Sequence, residues 1–237
     1  MKIRTFSVLI LAALAVLPVH SGETPGKRNC VRFVYLNSAD REFDPAYFKA
    51  VKRAALDIQA WYKSQMGGRT FDLCKGTPEA LKSRRQASYF SNNPNGERSD
   101  DWGFYNTFYE MRDLRKADPS KDGYVWVIYS DGPGNKGRAN PGFAYLPEDD
   151  LLGLVGKHPE QKNPVRWLGG LGHELGHALG LAHPQDTENA GGAIMWAGFY
   201  SPKSSWLLTP EDKNILRRSP FIRGPARKGG ILRTQVR

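Results

Sequence analysis

The sequence predicts an α+β fold: a mixed, mostly parallel twisted sheet with two long helices and a small irregular C-terminal subdomain. Three observations predict it. Apolar runs of strand length occupy residues 30–36 and 123–130. Two long segments of helical periodicity begin at Pro45 and Pro164. Beyond the second of these, only one short helical segment interrupts an irregular stretch. The 237 residues suffice for one sizeable core, and one folded unit is the simplest count.

Each element has a local cause. Residues 30–36 are apolar and aromatic and open the domain as a strand. Asp44 caps the first helix and Pro45 takes its first position. Tyr47, Val51, Ala54, Ile58 and Trp61 recur at helical spacing, with Lys49, Lys52, Arg53 and Lys63 on other faces. Gly67-Gly68 stops this helix, and 69–74 reads as the next strand. Residues 91–98, rich in Asn, Pro and Gly, form a loop. A second amphipathic helix is expected over 101–117, turning Phe104, Phe108, Met111 and Leu114 inward. Residues 123–130 are a buried strand. The breakers between Asp131 and Gly142 make a loop, whose Asp-Gly-Pro-Gly-Asn start has a weak calcium-binding character (Ca2+) beside its plain reading as a turn. Residues 142–146 are a short edge strand before Pro147. Asn163 and Pro164 start the second long helix, in which Trp167, Leu168, Leu171, Leu175 and Leu179 supply buried contacts. Gly169, Gly170, Gly172 and Gly176 make it a poor autonomous helix, at about 1 kcal/mol each against alanine, so packing must compensate. Thr209, Pro210 and Glu211 open a last helix that ends near Arg218, before Pro220.

Chemistry concentrates in one stretch, His-Glu-Leu-Gly-His-Ala-Leu-Gly-Leu-Ala-His, residues 173–183. His173 and His177 are four apart and stand one turn apart on one helix face. Glu174 is offset around the helix, where it reaches a water on the metal without binding the metal. Gly180 tolerates the left-handed turn that ends the helix, and His183 then returns as a third ligand. Three protein ligands leave a fourth position open, as in catalytic rather than structural zinc sites. Three of the five histidines lie in this one segment.

The stretch matches the signature HExxHxxGxxH and so resembles the metzincin zinc metallopeptidases, whose pattern adds a methionine turn beneath the metal. Met195, within Ala193-Ile194-Met195-Trp196, is similar to the Met-turn of matrixins, while Pro184 directly after the third histidine is similar to serralysins. The resemblance is specific over residues 173–196 and looser over about 30–220. It implies a metzincin-like sheet, one catalytic Zn2+ held by His173, His177 and His183, and Glu174 as the catalytic base. It implies an edge strand, here 142–146, running antiparallel to the bound peptide, and a pocket wall built by 196–208. Position 197 is alanine, so the tyrosine that serralysins and astacins place two residues after the methionine is absent. Outside the motif only His20 and His158 remain, too few for a matrixin-type structural zinc.

Lys2 and Arg4 precede an apolar run ending at Leu17, too short to span a bilayer. Residues 1–22 therefore read as a signal peptide, residues 28–222 as the zinc metalloprotease catalytic domain, and 223–237 as a basic flexible tail. Export, to an extracellular or periplasmic space, would allow Cys30 and Cys74 to form a disulfide. Such a bridge closes a loop of about 45 residues and contributes roughly 4 kcal/mol on the chain-entropy model. No stretch after the leader forms a transmembrane segment. Lysine and arginine number 34 against 24 acids; without the leader, 32 against 24. That excess favours contact with anionic surfaces and does not choose among them. Nothing in the sequence specifies an oligomeric state. The expected protein is a secreted zinc-dependent metalloendopeptidase acting on a protein or peptide substrate. The alternative is a catalytically weak metal-binding protein of the cell envelope or another anionic surface, a reading that leaves the intact Glu174 without a purpose.

Overall fold

The computed structural model describes residues 29–91 and 101–224. The signal peptide at 1–22, nearly all of the tail at 223–237 and most of the loop at 91–98 lie outside the described residues. In chain order the elements are β1 (Val31–Asn37), α1 (Pro45–Gln65), β2 (Thr70–Phe71), β3 (Glu79–Lys82), α2 (Trp102–Arg115) and β4 (Val125–Ser130). They continue with β5 (Arg138–Asn140), β6 (Phe143–Leu146), α3 (Glu148–Leu154), α4 (Pro164–Ala178), α5 (Pro210–Arg218) and β7 (Ile222–Arg223).

The main sheet has five strands in the order β3-β1-β4-β6-β5. The pairings β1–β3, β1–β4 and β4–β6 are parallel, and β5–β6 is antiparallel. Side-chain alternation divides the core in two. Phe33, Tyr35, Val127, Tyr129, Ala144 and Leu146 face α1, α3 and α4. Val34, Leu36, Trp126, Ile128, Phe143 and Tyr145 face α2 through Phe104 and Met111. Helices on both faces bury β4 completely and β1 except at Arg32, which is why these two strands read as largely apolar runs.

The expected caps form. The Asp44 carboxylate accepts from Ala46 N–H at 2.7 Å and Asn163 Oδ1 from Val165 N–H at 3.1 Å. Thr209 and Asp212 exchange the reciprocal bonds of a capping box at the start of α5. Cys30 and Cys74 are bridged, tying the entry of β1 to the chain just past β2.

Three strand expectations need correction. Residues 142–146 do form a strand, but β6 is internal, paired to β4 on one side and β5 on the other. The edge strand is β5, inside the stretch expected to be loop. Three residues, Arg-Ala-Asn, are too few and too polar to show alternation, and the hairpin turn at Gly142 (φ 87°) marks only a break. The strand expected over 69–74 contributes β2, which leaves the main sheet and pairs antiparallel with β7. The other sheet edge is β3, Glu-Ala-Leu-Lys, whose residues carry no strand preference and which β1 recruits by backbone pairing. α3 was not anticipated either; its signal is the acidic first turn Glu148-Asp149-Asp150 after Pro147, which suits a helix N-terminus.

Candidate metal centre

The arrangement of the three histidines depends on how α4 ends. Gly180 adopts φ 98°, the Leu181 N–H returns to the Gly176 carbonyl at 2.9 Å, and the Gly180 N–H returns to that of His177 at 2.9 Å. These bonds satisfy carbonyls left over at the helix end and reverse the chain. His183 is thereby carried back over the helix face that displays His173 and His177. The three Nε2 atoms converge: 3.1 Å from His173 to His177, 3.0 Å from His177 to His183, and 3.2 Å from His183 to His173. Among the described residues this is the one group of three metal-ligating side chains that closes on a common point.

The donor set fits zinc. His173 Nδ1 lies 2.8 Å from the Ile194 carbonyl and His177 Nδ1 lies 2.9 Å from the Leu181 carbonyl. A carbonyl only accepts, so both rings donate from Nδ1 and direct a bare Nε2 lone pair inward. Nitrogens at about 2.0–2.1 Å from a tetrahedral zinc stand about 3.3 Å apart, close to the separations here. Without a cation, such lone pairs would repel. Burial pushes the His173 pKa down to about 4 and lowers that of His177, which favours the neutral rings that a metal requires. The two carbonyls are the orienting groups that the sequence alone did not identify.

Met195 is fully buried, and its sulfur occupies the space that a side chain at position 176 would need: a Cβ there would fall 2.2 Å from Sδ. A Cβ at Gly172 would similarly fall 2.5 Å from Ile194 Cδ1. The glycines that weaken α4 as a free helix thus let it lie directly on the methionine segment. That segment also supplies the Ile194 carbonyl to His173.

Glu174 points into a cavity of about 250 Å³ that it shares with His173, Leu146, Asp150, Phe199 and Tyr200. Burial raises its pKa to about 7, against the pull of Lys136, Arg138 and Arg166. Gly137, just before β5, sits against it; a Cβ there would be 3.1 Å from Glu174 Cγ. The free edge of β5 consequently runs past the carboxylate. Phe199 and Tyr200 come from the 196–208 segment expected to form a pocket wall. At the start of the stretch 131–142 the Asp131 carboxylate accepts from Tyr35, Asn37 and Ser38.

The ionisable cavity residues Lys136, Asp150 and Arg166 escaped the sequence reading. Arg166 had a usable signal, since it stands seven positions before His173 on the same helix face. Asp150 had none. Burial drives the Asp150 pKa up to about 8, with Arg166 opposing and Glu174 adding to the rise. The folded state therefore keeps a proton that the unfolded chain releases near pH 4. This contribution to stability is complete below pH 4 and is lost as pH rises through 8. Asp150→Asn is expected to raise the melting temperature, with an increment that widens from pH 5 to pH 9. Equal increments at both pH values would contradict the assignment.

No family model matches the sequence, and no curated protein matches it. Among solved structures the chain is similar to OgpA from Akkermansia muciniphila. The wild-type protein superposes with a TM-score of 0.60 at 21% identity, covering 83% of this chain and 62% of that chain. Catalytically inactive OgpA in complex with an O-glycopeptide (glycodrosocin) substrate gives 0.58 at 23% identity, again covering 83% and 62%. The chain therefore spans about 62% of the length of the OgpA chains, and what it shares with them at this identity is the fold. Archaemetzincin from Methanopyrus kandleri gives a TM-score of 0.46 at 12% identity, covering 82% of this chain and 98% of that chain.

Proposed function

We propose that this chain is a secreted zinc-dependent endopeptidase whose catalytic domain spans residues 28–222. The observation that carries the reading is the convergence of three Nε2 lone pairs beside a half-buried carboxylate. His173, His177 and His183 would hold the ion through Nε2, with the Ile194 and Leu181 carbonyls fixing the first two rings. Bound there, zinc supplies Lewis acidity towards a peptide carbonyl and makes water acidic near neutral pH.

Glu174 is the general base of this proposal. Its carboxylate takes a proton from the attacking water and passes it to the departing amine nitrogen. A pKa near 7 suits both halves of that shuttle. Met195 has no direct part in proton transfer; it packs beneath the helix that presents the ligands. The unpaired edge of β5 offers backbone donors and acceptors to an extended peptide. Such pairing would lay a chain across the site from both sides, which favours cleavage within a peptide over cleavage at its end. Export is supported by the leader-like 1–22 and by the Cys30–Cys74 bridge. A peptide bearing an O-linked sugar is a second substrate reading, favoured by the complex of OgpA with an O-glycopeptide.

The test is digestion of unfolded casein by the purified protein. Hydrolysis is expected to stop with a zinc chelator and return when zinc is restored. A zinc-loaded protein that cleaves neither casein nor a matched pair of bare and O-glycosylated peptides would instead support the non-enzymatic, surface-binding alternative.

A further inference from the structure

Besides the exposed Lys136, two ionisable side chains line the cavity beside His173 and Glu174 without a part in holding metal or moving the proton. Asp150 is only 5% exposed, and among the described residues its carboxyl accepts no hydrogen bond. Its carboxyl lines the cavity, where a donor from outside the fold can reach it. Arg166 stacks its guanidinium on Phe199 at 4.7 Å and Tyr200 at 4.5 Å. The guanidinium makes no hydrogen bond or ion pair with the described residues, so its donors face the cavity. The two groups approach without closing. Gly170 lies at the gap, and a Cβ there would stand 2.9 Å from Arg166 Nη1 and 3.7 Å from Asp150 Oδ1.

We infer that Asp150 and Arg166 together determine specificity, selecting for this cavity a neutral substrate group that carries both a hydrogen-bond donor and an acceptor. The inference rests on the endopeptidase reading and names the substrate chemistry of that same site. Whatever its protonation, the Asp150 carboxyl presents an acceptor oxygen, and Arg166 presents only donors. A lysine or arginine side chain would satisfy Asp150 and be repelled by Arg166. An aspartate or glutamate would pair with Arg166 and bring a third carboxyl beside Asp150 and Glu174. An aliphatic side chain would leave both groups unpaired in a desolvated space. A neutral amide or hydroxyl group bridges the gap, donating to Asp150 and accepting from Arg166. The aromatic rings of Phe199 and Trp167 and the side chain of Leu146 would cover its apolar stem. Two sources supply that chemistry: the carboxamide of asparagine or glutamine, and the hydroxyls of a sugar attached to threonine.

The experiment is a peptide series on the zinc-loaded protein, with cleavage sites read by mass spectrometry and the cavity-facing residue varied. Its arms are glutamine, glycosylated threonine, lysine, glutamate and leucine. The preferred arm is expected to be glutamine or glycosylated threonine, exceeding the charged and aliphatic arms by about tenfold or more in kcat/KM. Which of the two leads identifies the source. A preference for lysine, glutamate or leucine overturns the inference. In Asp150→Leu and Arg166→Met, which remove the acceptor and the donors, the ratio of the preferred arm to leucine is expected to collapse towards one. A ratio that survives in folded, zinc-loaded variants also overturns it. Because selectivity among cleaved peptides is read separately from casein hydrolysis, an inactive wild type would sink the peptidase reading, whereas an active but differently selective one would sink only this inference.

Discussion

Glu174→Gln is expected to lower peptide hydrolysis by about a thousandfold or more while the protein keeps one zinc per chain. Glutamine keeps the shape of the side chain against Gly137 and its place in the cavity, so the fold has little reason to respond. What it loses is basicity. An amide cannot take a proton from water near neutral pH, and no other carboxylate is poised to replace it. Asp150 shares the cavity, but it is buried on α3 rather than carried by the histidine-bearing turn of α4. Metal analysis together with turnover of one defined peptide checks the result. A variant that retains zinc and cleaves at the wild-type rate would remove Glu174 from the mechanism. Loss of zinc along with activity would mean that the carboxylate serves the metal rather than the water.

His177→Ala is expected to abolish both stoichiometric zinc binding and hydrolysis. His177 is the middle of the three histidines, with Nε2 3.1 Å from His173 and 3.0 Å from His183. Its loss leaves two imidazoles, one buried on the helix and one exposed beyond the turn. Changes to groups that merely orient zinc ligands typically cost ten- to a hundredfold in affinity, so deleting a ligand should cost more. Zinc present at a thousandfold over its dissociation constant stabilises a folded protein by about 4 kcal/mol. Added zinc should therefore raise the melting temperature of the wild type by several degrees and leave that of the variant where it was. Equal shifts in the two proteins would show that the ion binds elsewhere.

The centre was legible because its signal is local. Histidines at 173 and 177 follow helical spacing, and Gly180 announces the turn that returns His183. The long helices and the two central strands were legible for the same reason: each carries enough residues for a period to register. What escaped depends on contacts distant in sequence. β3 and β5 are strands because a neighbour offers them a ladder, and neither Glu-Ala-Leu-Lys nor Arg-Ala-Asn declares it. Asp150 enters the cavity because α3 packs against α4, a tertiary fact with no trace around Pro147. The Ile194 and Leu181 carbonyls are invisible in principle, since every residue has one. The resemblance supplied the idea of an edge strand along the substrate, but assigned it one hairpin arm too late.

The seating of α4 on the methionine segment has a consequence for how this protein tolerates change. At positions 172 and 176 the hydrogen of glycine is all the room there is, with a sulfur and a branched methyl already in residence. Neither position needs to touch substrate or ion, yet a larger residue at either would have to displace Met195 or Ile194 from beneath the helix. A survey of viable variants that scored sites by distance from the chemistry would mistake this pair for bystanders.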